Sequence, residues 1–173
     1  MSVKILLADD HAEARQAARR LLGERSEWMV CGEAENGFEA VEKAATLKPD
    51  IVILDLSMPK MNGLEAAKII HTANPDLPLL LFSVDGADPA MLGAIRGAGF
   101  RGAVPKSAGW LLPEAIEILL QGKTFFDGNR SPLALPVVEA QASMETAPGQ
   151  ADDDQNAKKA AAGADDPSKP PLA

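Results

Sequence analysis

Ile51-Val52-Ile53-Leu54-Asp55-Leu56-Ser57-Met58-Pro59-Lys60-Met61-Asn62-Gly63 is the stretch that decides the fold. Its first four residues are all apolar and mostly β-branched, and they read as a strand buried on both faces. The run ends on a single carboxylate, Asp55, after which Pro59 and Gly63 turn the chain away. In an open parallel sheet the carboxyl edge of the strands is where ligands bind. Val3-Lys4-Ile5-Leu6-Leu7-Ala8 ends in the same manner, on Asp9 and Asp10. Three carboxylates on one rim repel one another unless a cation sits among them.

Outward from this stretch, strand and helix patterns alternate. Ala14, Ala17, Ala18, Leu21 and Leu22 predict a helix over 12–23 with Arg15, Gln16, Arg19 and Arg20 on its other side. A second strand is expected over 29–34, then a turn at Asn36-Gly37 and a helix over 38–47 with Ala40, Val41, Ala44 and Ala45 inward. Lys48-Pro49 stops it. A third helix covers 64–73 and is closed by Asn74-Pro75; a fourth strand, 79–82, runs into Ser83. Asp88-Pro89, a capping residue with proline at the first helical position, opens the fourth helix. A short fifth strand, 102–104, precedes Lys106, and the last helix runs from near Pro113 to Gln121-Gly122. Repeated β-α pairs with short connections imply an α/β fold, a doubly wound (βα)5 parallel sheet with helices on both faces. The strand order 2-1-3-4-5 is taken over from flavodoxin-like sheets, not read from these residues.

After Phe126 the pattern collapses, so the domain is placed at 1–126 and the remainder, 127–173, is expected to be a disordered acidic tail. That tail holds six of the thirteen prolines and few strong apolar residues, too few to offset its ordering entropy. Leu133–Val138 is the one place in it where a short strand or docking peptide is conceivable. The formal net charge is -8, with 13 basic against 17 acidic residues in 1–126 and 4 against 8 in 127–173. There is no basic stripe, which argues against DNA binding. No apolar run approaches the roughly 20 residues of a membrane span, and the N-terminus has no signal-peptide layout. Cys31 is the only cysteine; it reads as a small apolar residue on a buried strand. A cytoplasmic protein is the expectation.

At the predicted rim lie Asp9, Asp10, Asp55, Ser83 and Lys106. Hard divalent cations such as Mg2+ favour carboxylate oxygens, a backbone carbonyl and water. A phosphoryl group completes such a site: the ammonium and the cation neutralise its oxygens, and Asp55 attacks in line. Taken singly, each residue has a plainer reading. Asp9 is a favoured N-cap type, Asp55 a turn residue, Ser83 a loop residue, and Lys106 a solvated lysine. His11 reads as a surface residue in the first helical turn, His71 as structural, and Trp28 and Trp110 as packing residues.

Leu7-Ala8-Asp9-Asp10-His11, the Asp55-to-Pro59 turn with Gly63, and Pro105-Lys106-Ser107 together resemble the receiver domain of two-component response regulators, over residues 3 to about 126. The likeness is greatest to receivers that precede a helix-turn-helix output domain. The resemblance implies that Asp55 accepts a phosphoryl group from a histidine kinase or phosphotransfer protein. It implies that Asp10, Asp55 and the Ser57 carbonyl bind Mg2+ directly, with Asp9 acting through water. Ser83 is then the switch hydroxyl, Lys106 pairs with a phosphoryl oxygen, and Ser57 and Asp85 flank the group and tune its lifetime. The signal leaves through the face made by the fourth helix, fifth strand and fifth helix, with homodimerisation on phosphorylation as one outcome.

Two departures from the family stand out. Most receivers carry an aromatic residue three positions before the lysine; here it is Ala103. Signalling is therefore expected to run mainly through Ser83 and the surface of the fourth helix. Within 127–173 no pair of amphipathic helices is written, so the expected function is a stand-alone switch acting through protein contacts and not an enzyme beyond self-phosphorylation and self-dephosphorylation. The alternative is a transcription regulator relative without its DNA-binding half, pairing with full-length regulators. A Mg2+-dependent phosphohydrolase is disfavoured because Ser57 stands where one such class has an acidic residue.

Overall fold

The alternation of apolar and polar segments resolves into five strands and five α-helices. A computed structural model gives their arrangement and describes residues 2–84 and 90–126. In chain order these are β1 (Val3–Ala8), α1 (Ala12–Leu22), β2 (Trp28–Ala34), α2 (Gly37–Leu47), β3 (Ile51–Leu54), α3 (Gly63–Ala73), β4 (Leu79–Ser83), α4 (Leu92–Gly97), β5 (Phe100–Pro105) and α5 (Leu112–Leu120). A 3-10 helix, Lys106–Leu111, joins β5 to α5. All pairings are parallel, in the order β2-β1-β3-β4-β5.

Side chains that alternate along a strand fall on opposite faces, and the core divides accordingly. Leu6, Ala8, Val52, Leu54, Leu79 and Leu81 face one cluster, shared with α2, α3 and α4. Ile5, Leu7, Ile51, Ile53, Leu80 and Phe82 face the other, shared with α1 and α5. Burial on both faces is what the unbroken apolar run in β3 requires. Helix entry is set by capping: Asn36 Oδ1 accepts from the Glu39 N–H at 3.1 Å. Asn62 and Glu65 form a reciprocal capping box at the start of α3.

Several expectations change. Arg15 is buried rather than solvated, while Ala17 and Ala45 are exposed. Trp110 is 68% exposed; it sits on the 3-10 helix between β5 and α5. Cys31 is only half-buried, because β2 is an outer strand of the sheet; burial still pushes its thiol pKa up. β5 is longer than expected, six residues against three. Two readings hold as expected: His71 is structural, packing under Gly99 where a β-carbon would strike its ring, and His11 is a surface residue. Asp85, Asp88-Pro89 and the whole tail, including Leu133–Val138, lie outside the described residues. No described helix is long and apolar enough to cross a membrane.

Candidate functional site

The site begins with two backbone bonds. The Asp55 N–H donates to the Ala8 carbonyl at 2.8 Å and the Asp9 N–H donates to the Ala34 carbonyl at 3.0 Å. Each continues its strand ladder one residue past the strand, so both acids are held at the carboxyl edge of adjacent strands. Both are almost fully buried, 2% exposed for Asp9 and 3% for Asp55. Gly63 makes the turn after Asp55 feasible. Its N–H donates to the Leu56 carbonyl at 2.9 Å, and a β-carbon there would overlap the Asp55 carbonyl.

Lys106, the first residue after β5, reaches between the two acids. Its Nζ lies 2.6 Å from Asp9 Oδ2 and 3.2 Å from Asp55 Oδ1. Burial raises the Asp55 pKa; the lysine charge opposes that and the Asp9 charge adds to it, leaving a net increase. For Lys106, burial alone would favour loss of the proton. Its hydrogen bond and attraction to Asp9, then to Asp55, outweigh burial and hold the pKa above the ordinary lysine value. Ser83 closes β4, is 4% exposed, and stands opposite Pro105 in register, next to Lys106.

Asp9 Oδ1 accepts from the His11 N–H at 2.9 Å. Apart from the Lys106 ammonium, Asp9 Oδ2 has no partner among the described residues. Asp10 is more open, and its Oδ1 lies 2.8 Å from His11 Nδ1. Among the described residues, the acid and histidine group whose ligand atoms all fall within 4.8 Å of one another is Asp9, Asp10 and His11. Asp55 is held toward Lys106 and is not part of that group. The donors fit a hard divalent cation: carboxylate oxygens predominate and one buried oxygen has spare capacity. Ser57, two residues past Asp55, is exposed. Ala103 is 2% exposed and packs in the cluster shared with α4.

Sequence reading missed one supporting residue. From α1, Arg15 donates through Nη1 to the Asp9 carbonyl at 2.7 Å, through Nε to Glu33 at 3.1 Å and through Nη2 to Glu35 at 2.9 Å. Only the alternating acids on and just after β2 hinted that a buried cation would be needed there.

Residues 5–112 match the family model of the response regulator receiver domain. The chain belongs to that family. The receiver is 37% identical over 134 residues to the DNA-binding transcriptional activator DevR/DosR of Mycobacterium tuberculosis, covering 77% of this chain and 61% of that protein. It is 46% identical over 83 residues to a protein-glutamate methylesterase/protein-glutamine glutaminase of Idiomarina loihiensis, covering 48% of this chain and 21% of that protein. Among solved structures it resembles a LuxR-family two-component response regulator from Aurantimonas sp. SI85-9A1 (TM-score 0.69, 32% identity, 73% of this chain and 90% of that one). The receiver thus spans less than two thirds of these curated relatives, and its role is that of a phosphoacceptor module of two-component signalling.

Proposed function

We propose that this receiver is a phosphorylation switch in which Asp55 is the phosphoacceptor. The observation that carries the reading is the Lys106 ammonium shared by the buried carboxylates of Asp9 and Asp55, at the sheet edge beside Ser83. A carboxylate oxygen of Asp55 attacks the phosphorus of a phosphohistidine on a kinase or phosphotransfer protein. The P–N bond breaks, the imidazole leaves with its electron pair and is reprotonated by solvent, and an acyl phosphate remains on Asp55. Lys106 leaves part of its interaction with Asp9 to pair with a phosphoryl oxygen, and the Ser83 hydroxyl donates to another. Asp10, Asp55 and the Ser57 carbonyl are the residues that would hold Mg2+, with Asp9 acting through water. Bound there, Mg2+ supplies charge neutralisation for the transferring group. Ser57 and Asp85 flank the acyl phosphate and tune its lifetime.

The added charge, on the order of two negative units, biases the face formed by α4, β5 and α5, which then binds a downstream protein. Catalysis of other reactions and direct DNA contact are not part of this reading, and the cytoplasm is its proposed location. The domain is taken as 1–126, with 127–173 as an acidic extension bearing no helix-turn-helix pattern. Incubation with acetyl phosphate and Mg2+ should add one phosphoryl mass to the wild type and none to Asp55→Asn. Retained labelling in Asp55→Asn would defeat the assignment.

The similarity to a DNA-binding transcriptional activator supports a second reading, a regulator that acts by pairing with full-length relatives. Gel filtration with and without acetyl phosphate separates the two: a shift to dimer favours pairing, a constant monomer favours the switch acting alone.

A further inference from the structure

We infer that Thr124–Phe126 is an edge strap latched by Arg96, and that this latch reports the state of Asp55 on the α4–β5 face. β5 is an outer strand of the sheet, and an uncovered strand edge presents unpaired backbone groups. The segment after α5 folds back to meet that edge. The Ala103 N–H donates to the Phe125 carbonyl at 2.7 Å and the Phe125 N–H donates to the Arg101 carbonyl at 2.9 Å, forming a parallel bridge between Gly102 and Phe125. Glycine is required at 102 for this approach: a β-carbon there would stand 2.8 Å from the Phe125 oxygen and 3.0 Å from Leu119 Cδ1.

Adjacent residues of an extended segment point to opposite faces, and the two phenylalanines do so. Phe125 packs against the cluster shared with α1 and α5. Phe126 packs against the other cluster, the one containing Ile95, Ala98, Phe100 and Ala103. Arg96 of α4 then closes over it, with its Cζ 4.6 Å from the ring centroid, within cation–π range. Ala103 contributes only a methyl group to this surface, and Phe126 adds a ring to a cluster that also holds Phe100 of β5.

The strap is placed to sense the site because one strand carries both. β5 holds the strap at Arg101 to Ala103, and immediately after its end Lys106 enters the pair with Asp9 and Asp55. α4 holds the strap from the other side through Arg96. Two backbone bonds, one cation–π contact and two half-buried rings at a sheet edge form a small unit that opens at lower cost than the domain unfolds. A shift of Lys106 toward a phosphoryl oxygen therefore has a two-state element on its own strand to bias. Arg96 and Phe126 are positioning residues in this account, which rests on Asp55 being the phosphoacceptor.

Hydrogen exchange on the full chain tests the latch, read by mass spectrometry on peptides spanning Arg101–Val104 and Lys123–Phe126, with and without acetyl phosphate and Mg2+. The phosphorylated wild type should show a change of about fivefold or more in exchange there, the lower end of ordinary coupling. Arg96→Gln, an exposed and structurally mild change, should shrink that difference while Asp55 still gains one phosphoryl mass. Phe126→Ala should do the same, and Phe126→Trp should restore it. Full labelling with unchanged exchange in the wild type overturns the latch and leaves the phosphoacceptor reading intact, as does an undiminished difference in Arg96→Gln. If no phosphoryl mass appears in the wild type, the phosphoacceptor reading fails and the latch falls with it.

Discussion

Arg15 holds Asp9 by its backbone: the guanidinium Nη1 donates to the Asp9 carbonyl at 2.7 Å from a side chain only 10% exposed. The acid at the head of the site is thus fixed from both ends, its carboxylate by Lys106 and its main chain by α1. The remaining donors of the same fork are taken up by Glu33 and Glu35.

Arg15→Ala should destabilise the domain by about 2–4 kcal/mol, because a buried carbonyl and a half-buried carboxylate lose a charged partner. Arg15→Lys should recover little, since an ammonium cannot span three acceptors with fixed geometry. Urea titrations of the three proteins check this, and equal midpoints for wild type and Arg15→Lys would contradict it.

Asp55→Asn should be more stable than the wild type at pH 7 in the presence of a chelator. Burial raises the Asp55 pKa, so the folded state holds its proton more tightly than the unfolded chain. The stabilising effect of that proton is complete below the ordinary aspartate value and is lost as pH rises through the raised folded value. The gap between Asp55→Asn and wild type should therefore close on acidification. Thermal melts from pH 3 to pH 8 measure it. At the other end of the scale, Lys106 contributes stability below the ordinary lysine value that is lost as pH rises through its raised folded value.

Lys106→Met should cost about 3–5 kcal/mol, the usual penalty for stripping one partner from a buried charge pair, because Asp9 and Asp55 would face each other without an ammonium. Divalent cation should restore part of this. Mg2+ at about 100 times its Kd raises the stability of any protein that binds it only when folded by about 2.7 kcal/mol. The increment should be larger in Lys106→Met than in wild type and should vanish in Asp10→Asn. Melting temperature against Mg2+ concentration, reversed with chelator, is the measurement.

Ala103→Phe should destabilise by about 1–3 kcal/mol through overpacking, since Ala103 is buried and Phe126 already packs against its cluster. The new ring and Phe126 compete for one surface, so the exchange protection of the Phe125 amide should fall. Partner affinity with and without phosphorylation, compared with wild type, reads the functional consequence. An equal phosphorylation-dependent gain in both would mean that Ala103 does not weaken coupling.

The sequence by itself determined the layers of this fold and the residue types at its rim. Ile51–Leu54 is apolar at every position, which only a strand covered on both sides tolerates. Asp55 follows with a glycine eight residues later, and that glycine meets the Asp55 carbonyl so closely that no side chain fits. These signals are local, set by backbone period and by steric exclusion between near neighbours. The tertiary structure alone decided how charges pair across elements. Arg15 carries the same sequence signature as solvated Arg19, yet the packing of α1 on the sheet buries one and exposes the other. Lys106 is 51 residues from Asp55, and Phe125 regains contact with β5 only after α5 has crossed the sheet. Such contacts depend on where helices dock and which strands become neighbours, and both are settled by the summed burial of two cores, which no local pattern records.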